Sequence, residues 1–240
     1  IVERFGIYPA HSGETVWVHA VSLGEMRSAG PLIAAFLARG ETVVTTHFTP
    51  AGRKAAMALF PAEVADGRLI PLYVPFEYDW AFRRLFRRFR PKYGLVMEIE
   101  MWPRMIASAR KYRVPLFMCN GQYPEKSFDR DTGGTALRGE LARGFAGLMI
   151  KSETHAARFR ALGATNIAGT GELRLDRPVP PRLLTAAAAF SKAAGLADRP
   201  VVCTASSVQG EDEQYLLAYK QVQDRARQAD LPKPLFIHVP

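Results

Sequence analysis

What this chain has little of narrows its chemistry before any motif is read. Two cysteines, Cys119 and Cys203, are all that its 240 residues carry. Each sits in an apolar, strand-like run with no Cys-x-x-Cys or histidine spacing around it, so both read as reduced core residues rather than a disulfide or a metal pair. The histidines, His11, His19, His47, His155 and His238, are scattered without the helical or hairpin spacing that converges on one ion, and no metal is expected. No run of about twenty apolar residues occurs, so neither a transmembrane helix nor a signal peptide is visible. The absence of a Gly-x-Gly-x-x-Gly or Walker loop counts against a dinucleotide dehydrogenase or a P-loop NTPase. No helix-turn-helix, zinc finger or aromatic RNA-binding signature accompanies the charge, so nucleic acid is not the expected partner. A hydrophobic content of 48% excludes a disordered chain.

What is there alternates in the manner of a doubly wound α/β sheet. The buried-strand pattern Val16 to Val21 ends in Ser22-Leu23-Gly24-Glu25, with a helix predicted over 28–37, which places Glu25 in a strand-to-helix loop at the carboxyl end of the sheet. Strands are expected at 42–46, 69–74, 94–98, 115–119, 147–151 and 166–170. Helices are expected at 51–59, 103–112, 135–143 and 153–162, with a loop rich in glycine and charge after Cys119. Glu98 and Glu100 stand two apart at a strand end and should share a face while the strand geometry lasts, where they could fix a basic side chain such as Arg174. Ser22, Thr45, Thr46 and Thr49 offer hydroxyls suited to sugar or phosphate hydrogen bonds, although helix capping explains each singly.

The formal charge of +9 points to acidic or phosphorylated partners. Much of it lies on one predicted helix, where Arg83, Arg84, Arg87, Arg88, Arg90 and Lys92 alternate with Phe82, Leu85, Phe86 and Phe89, giving an aromatic stripe beside a cationic face. That face reads either as a solvated surface or as a contact for anionic membrane and lipid phosphate. Arg177-Pro178-Val179-Pro180-Pro181 breaks the alternation, so the boundaries read are a domain over 1–176, a linker over 177–182 and the start of a second domain over 183–240. That second unit has an Ala-rich helix, a strand at 200–204, a long helix from Glu211 and a final strand.

Four motifs in order carry a family resemblance. His19-Ala20-Val21-Ser22-Leu23-Gly24-Glu25 matches "HAxSxGE", and Thr45-Thr46-His47-Phe48-Thr49-Pro50-Ala51-Gly52 is similar to "TTxTxxG". Met97-Glu98-Ile99-Glu100-Met101-Trp102-Pro103-Arg104 resembles "METELWPN", and Gly171-Glu172-Leu173-Arg174-Leu175-Asp176 resembles "GNLKFD". Together they resemble the Kdo transferases, which move 3-deoxy-D-manno-oct-2-ulosonic acid (Kdo) from CMP-Kdo onto lipid A precursors. The stretch Asn120 to Ser127 departs from the family's "NxRLSERS" and loses an arginine. Ala205 to Glu213 resembles the loop that opens the family's donor domain, with Val208 and Gln209 where His and Pro are usual.

The resemblance implies a GT-B glycosyltransferase of two Rossmann-like domains, the second incomplete in this chain. It implies inverting transfer without a metal or other cofactor, with CMP-Kdo as donor substrate, in lipopolysaccharide core biosynthesis. Glu25 becomes the candidate general base. Ser22, Gly24, Thr45, Thr46, Thr49, Glu98, Glu100 and Arg174 become candidate acceptor contacts, and Ser206, Ser207, Gly210 and Glu211 candidate donor contacts. Arg83, Arg84, Arg87 and Arg88 would meet membrane or phosphate. The implied partners are a lipid A precursor and an anionic membrane surface, and the implied place is the cytoplasmic face of the bacterial inner membrane, peripheral or anchored by a segment before Ile1. The chain opens without methionine and stops just after a strand, so it reads as a piece of a longer enzyme, inactive alone. The competing reading is a non-catalytic lipid- or polyanion-binding α/β module that kept the fold and lost the chemistry.

Overall fold

In the computed structural model, residues 2–132 and 137–239 are described. The chain divides into two compact units, the first ending at Arg177 and the second running from Pro178. The first unit is built from β1 (Thr15–His19), α1 (Leu23–Ala38), β2 (Val43–His47), α2 (Pro50–Leu59), α3 (Pro61–Ala65), β3 (Leu69–Tyr73) and α4 (Asp79–Phe89). It continues with β4 (Pro91–Met97), α5 (Pro103–Lys111), β5 (Leu116–Gly121), α6 (Glu125–Thr132), α7 (Leu137–Ala142), β6 (Gly147–Ile150), α8 (Glu153–Ala161) and β7 (Ile167–Gly169).

The seven strands form one sheet in the order β3-β2-β1-β4-β5-β6-β7, every neighbouring pair parallel. The expected doubly wound, Rossmann-like α/β fold is therefore present. Strand alternation sends Trp17, Val44, Val96 and Met118 into one apolar layer, and Val16, Val18, Val43, Leu95 and Met97 into the other. Pro71 is tolerated inside β3 because that strand is the sheet edge, where a missing ladder N–H leaves no partner unpaired. The order reverses between β1 and β4, so the crevice that such folds use for ligands opens between the carboxyl ends of those two strands.

Several local expectations are corrected. The first helix begins at Leu23 rather than Ser28, because the Ser22 hydroxyl accepts the Glu25 N–H and caps it five residues earlier. Pro31 lies inside that helix. The strand expected to run through Glu98 ends at Met97, since Glu98 adopts φ 56° and Asn120, at the end of β5, adopts φ 55°. Non-glycine residues in the left-handed region carry strain and need surrounding bonds to hold them. Part of the expected loop after Cys119 is the helix α6. Of the helix expected over 135–143, the first two residues lie outside the described residues, and the described part is α7.

The second unit comprises α9 (Pro181–Ala193), β8 (Val201–Ala205), α10 (Asp212–Gln228) and β9 (Leu235–Val239), with β8 and β9 paired in parallel. Its first helix starts at Pro181, where proline at the first turn is preorganised for helix, so it takes in two residues of the expected linker. Cys203, expected in a core, is exposed, as are Val201 and Val202 beside it; Cys119 is buried as expected.

Candidate active site

Glu25 sits in the first turn of α1, where β1 hands the chain over to the helix. Its carboxylate turns back on the loop, accepting the Ser22 hydroxyl at 2.8 Å on Oε1 and the Val21 N–H at 3.0 Å on Oε2. With the Ser22 cap this forms a reciprocal capping arrangement shifted by one residue. An ordinary carboxylate at a helix N-terminus would be more acidic than usual. Here burial reverses that: only 7% of Glu25 is exposed, and desolvation, opposed by the two hydrogen bonds and helped by Glu100 and Glu98, raises its pKa to about 7. The carboxyl is therefore poised to exchange a proton near neutral pH.

The loop that holds Glu25 is gripped from β2. His47 Nδ1 lies 2.7 Å from the Ala20 carbonyl, which can only accept, so that nitrogen carries the proton and Nε2 accepts the Thr45 hydroxyl at 2.9 Å. Thr49 caps α2 through the Gly52 N–H, and its own hydroxyl donates to the Val21 carbonyl at 3.2 Å. Gly52 itself is needed for closeness, since a Cβ there would stand 3.2 Å from the Ser22 backbone. Thr45 and Thr46, expected among the acceptor contacts, are instead fully buried. The Thr46 hydroxyl takes the Trp17 indole N–H at 2.8 Å and meets His19 Nδ1 at 2.9 Å. Both threonines lie within β2, with their hydroxyls on His47, Trp17 and His19. Burial lowers the pKa of His19 to about 3 and of His47 to about 4, so both rings stay neutral.

Across the crevice, Glu98 and Glu100 do not share a face, because the left-handed turn at Glu98 ends the strand between them. Glu98 accepts Gln122 Nε2 at 2.9 Å and stands 3.4 Å from Arg174 and 3.7 Å from Lys151. Arg174, exposed on a short 3₁₀ turn, also reaches Ser28 Oγ on α1 at 3.1 Å, which ties the two walls of the crevice together. Lys151 meets Glu172 at 2.9 Å and Gln122 at 3.2 Å. Asn120 completes the network, donating to Glu172 at 3.1 Å and accepting the Leu173 N–H at 3.0 Å. These bonds hold the strained backbone at both strand ends. Glu100 turns the other way and accepts the Trp102 indole N–H, and burial raises its pKa.

Ser22 is thus the cap and hydrogen-bond donor of Glu25, Gly24 is exposed in the first turn of α1, and Thr49 braces the loop. Sequence reasoning missed Lys151, Gln122, Asn120 and Glu172 as site residues. Asn120, Gln122 and Glu172 stood in the quoted segments, which was the one available signal. Among the described residues, no three histidine, cysteine, aspartate or glutamate side chains are grouped so as to hold a metal ion.

A family model described as 3-deoxy-D-manno-octulosonic-acid transferase (kdotransferase) matches residues 1–177. The chain belongs to this Kdo transferase family. It is 38% identical to 3-deoxy-D-manno-octulosonic acid transferase of Bordetella pertussis over 97% of the chain and 53% of that protein. With the Haemophilus influenzae protein of the same name it shares 26% identity, over 100% of the chain and 55% of that protein. The chain spans about half the length of these relatives. Among solved structures it resembles UDP-GlcNAc 2-epimerase from Neisseria meningitidis bound to UDP-GlcNAc, with a TM-score of 0.59 at 10% identity over 95% of the chain and 72% of that one. UDP-N-acetylglucosamine 2-epimerase from Rickettsia bellii gives 0.52 at 12% identity, over 95% and 63%. These likenesses concern the fold alone and agree with the GT-B class expected from the sequence.

Two further regions of this family member hold residues singled out in the sequence. On α4 the expected stripe is real: Phe82, Leu85, Phe86 and Phe89 are buried, while Arg83, Arg84, Arg87 and Arg88 line a groove of about 510 Å³ with Gly6, Ile7, Tyr8 and His11. Arg90 and Lys92, expected on the same helix, lie beyond it, Arg90 at its left-handed C-cap and Lys92 in β4. Beside it lies an exposed aromatic cluster that sequence reasoning did not anticipate. Phe5 packs edge-on to Phe76 at 5.3 Å, Tyr78 stacks on Trp80 at 5.6 Å, and Arg84 lies over Trp80 at 4.9 Å. Among the described residues no helix is long and apolar enough to cross a membrane.

In the second unit, Ser206 turns the chain at the end of β8 with φ 61°, and Gly210 follows with φ 96°. Glu211 accepts the Val208 N–H at 3.0 Å, and the Ser207 hydroxyl donates to Asp212 at 2.9 Å. Asp212 lies 3.0 Å and Ser207 3.4 Å from the same nitrogen of His238, Nε2. A nucleophile triad needs serine and carboxylate on opposite ring nitrogens, so this cluster is a hydrogen-bonded scaffold for the loop.

Proposed function

We propose that the protein carrying this chain transfers Kdo from CMP-Kdo to a lipid A precursor with inversion, and that the first unit supplies the acceptor side of the reaction. The observation that carries the reading is Glu25, a buried carboxyl with a pKa of about 7 at the β1/β4 switch point. An acceptor hydroxyl attacking the anomeric carbon must lose its proton as oxocarbenium character develops in the donor sugar. Glu25 accepts that proton. The Ser22 and Val21 hydrogen bonds hold its oxygens in place and favour the ionised form that begins the step. Glu98, fixed by Gln122, Lys151 and Arg174, orients acceptor hydroxyls on the opposite wall. Ser206, Ser207, Gly210 and Glu211 form the turn before α10, and a helix N-terminus of that kind suits the anionic CMP-Kdo.

The cationic groove and its aromatic neighbours support contact with anionic lipid at the cytoplasmic face of the inner membrane. Trp and Tyr favour the headgroup level, and arginine adds attraction to anionic lipid. Kdo transfer by the intact protein, followed with labelled CMP-Kdo and a lipid A precursor, tests the reading. Turnover that requires both substrates and collapses in Glu25→Gln is the expected result. Acceptor and vesicle binding without any turnover would favour the non-catalytic module instead.

A further inference from the structure

Next to Glu25 lies a second opening, a cleft of about 350 Å³ lined by Glu77, Ile99, Glu100, Met101, Trp102, Pro103 and Arg138. That volume is at the lower end of ligand clefts, about 300 to 1,000 Å³. Its two walls differ in kind. The turn 99–103 contributes Ile99, Met101, Trp102 and Pro103, an apolar side with an aromatic ring. Glu77, Glu100 and Arg138 contribute a polar side.

The polar groups are already oriented. Glu77 Oε1 accepts the Arg104 and Met105 N–H groups and so caps α5. Glu100 accepts the Trp102 indole N–H on Oε2, and among the described residues no donor meets its Oε1. Arg138 Nε is tied to Asp131 at 3.3 Å. The Trp102 ring is set edge-to-face against His19 at 5.1 Å and Phe48 at 5.9 Å. The charge balance discriminates between ligands: two carboxylates and one arginine, itself paired, leave no surplus of positive charge for a phosphate. A pyranose ring has the matching character, an apolar C–H face opposite a rim of hydroxyls that can donate to a carboxylate and accept from a guanidinium.

We propose that this cleft binds an uncharged pyranose ring of the acceptor, its C–H face on Trp102 and its hydroxyls on Glu100 Oε1 and Arg138. The proposal rests on the glycosyl-transfer reading above and adds a subsite to it. Phosphate groups of the same acceptor are then left to the arginine groove on α4.

The test uses N-acetylglucosamine as the uncharged probe and inorganic phosphate as its counterpart. The chain has three indole N–H signals, from Trp17, Trp80 and Trp102, which ¹⁵N spectra resolve and Trp102→Phe assigns. N-acetylglucosamine should move the Trp102 signal saturably and leave that of buried Trp17 in place, whereas phosphate should leave Trp102 unmoved. Trp102→Ala should weaken the sugar by about tenfold. Because Trp102 also packs on His19 and Phe48, a second variant guards against misfolding: Arg138→Gln, on a partly exposed side chain, should weaken it by about threefold. No sugar-dependent shift at Trp102, an equal shift with phosphate, or unchanged affinity in both variants overturns the proposal. The two readings fail separately. Sugar binding without any transfer by the intact protein refutes the reaction but keeps the cleft, whereas normal transfer with an unchanged acceptor KM in both variants refutes the cleft alone.

Discussion

Replacing Glu25 by glutamine should make the protein slower and, at alkaline pH, more stable. Glutamine keeps the local bonds: its Oε1 accepts the Val21 N–H and its amide donates to Ser22 Oγ in place of the bonds at 3.0 and 2.8 Å. What it removes is the titration. Glu25 has a folded-state pKa of about 7 against 4.5 for the free group, so the folded chain holds the proton more tightly than the unfolded chain does. Below pH 4.5 the group is protonated in both states and exerts no penalty. As pH rises from 4.5 to 7 the unfolded state ionises first, and stability falls by about 1.4 kcal/mol per unit, about 3 kcal/mol in all as an upper bound. Glu25→Gln escapes this loss, so its stability relative to wild type should grow by up to about 3 kcal/mol between pH 4 and pH 8. Turnover should fall by about 10² to 10⁴, the usual contribution of a general base. The wild-type kcat/KM should rise about tenfold per unit below pH 7 and level off above it, while the residual rate of the variant stays flat. Denaturant titrations across that pH range, paired with donor-dependent turnover, read both effects. If Glu25 were only a helix cap, its pKa would lie below 4.5 and the variant would lose stability at pH 8 with little change in rate. That pair of results refutes the reasoning.

Gly52→Ala should shift the Ser22–Glu25 loop, because its Cβ would press on backbone 3.2 Å away; turnover should drop more than stability, and equal loss of both would make Gly52 a packing residue only. Lys151→Met leaves Glu98 and Glu172 with the exposed Arg174 as their one shared cation among the described residues, for a loss of roughly 2 kcal/mol in denaturation, and wild-type stability would show that the network exerts no hold. Replacing Arg83, Arg87 and Arg88 by glutamine should weaken binding to anionic vesicles by about 1 kcal/mol per residue at low salt and less at high salt. Arg84 is spared because it also donates to the Phe5 carbonyl. Equal cosedimentation of wild type and variant would leave these arginines as solubility residues. The 240-residue chain alone should give no measurable Kdo transfer, and robust transfer by it would overturn the two-domain reading.

The strands were legible in the sequence because buried parallel strands are short apolar runs between turn residues, and β1, β5 and β6 have that form. Helix starts were less legible. The onset of α1 is set by one hydroxyl, that of Ser22, whose capping role competes with any other use of the same residue. Glu25 could be placed at the crevice from its position after a strand, but not its pKa, which comes from burial and, to a lesser extent, from Glu100 and Glu98 some seventy residues on. The partners of Glu98 were invisible for a similar reason. Lys151 and Arg174 reach it across more than fifty residues, and only the strand order brings them together. Thr45 and Thr46 misled because a hydroxyl on a strand reads alike whether it faces a ligand or a neighbouring histidine.

The position of β1 in the middle of the sheet also governs how the chain can be made. One edge of β1 pairs with β2, with Val16 opposite Val43, but the other waits for β4, with Val16 opposite Tyr93. At ribosomal speeds of about 5 to 20 residues per second, roughly 4 to 15 s separate the emergence of β1 from that of β4. For that interval an apolar strand carrying Val16, Trp17 and Val18 has a bare edge, open to pairing with another nascent chain. Nascent chains halted before Pro91 are therefore the species in which β1 should need a chaperone.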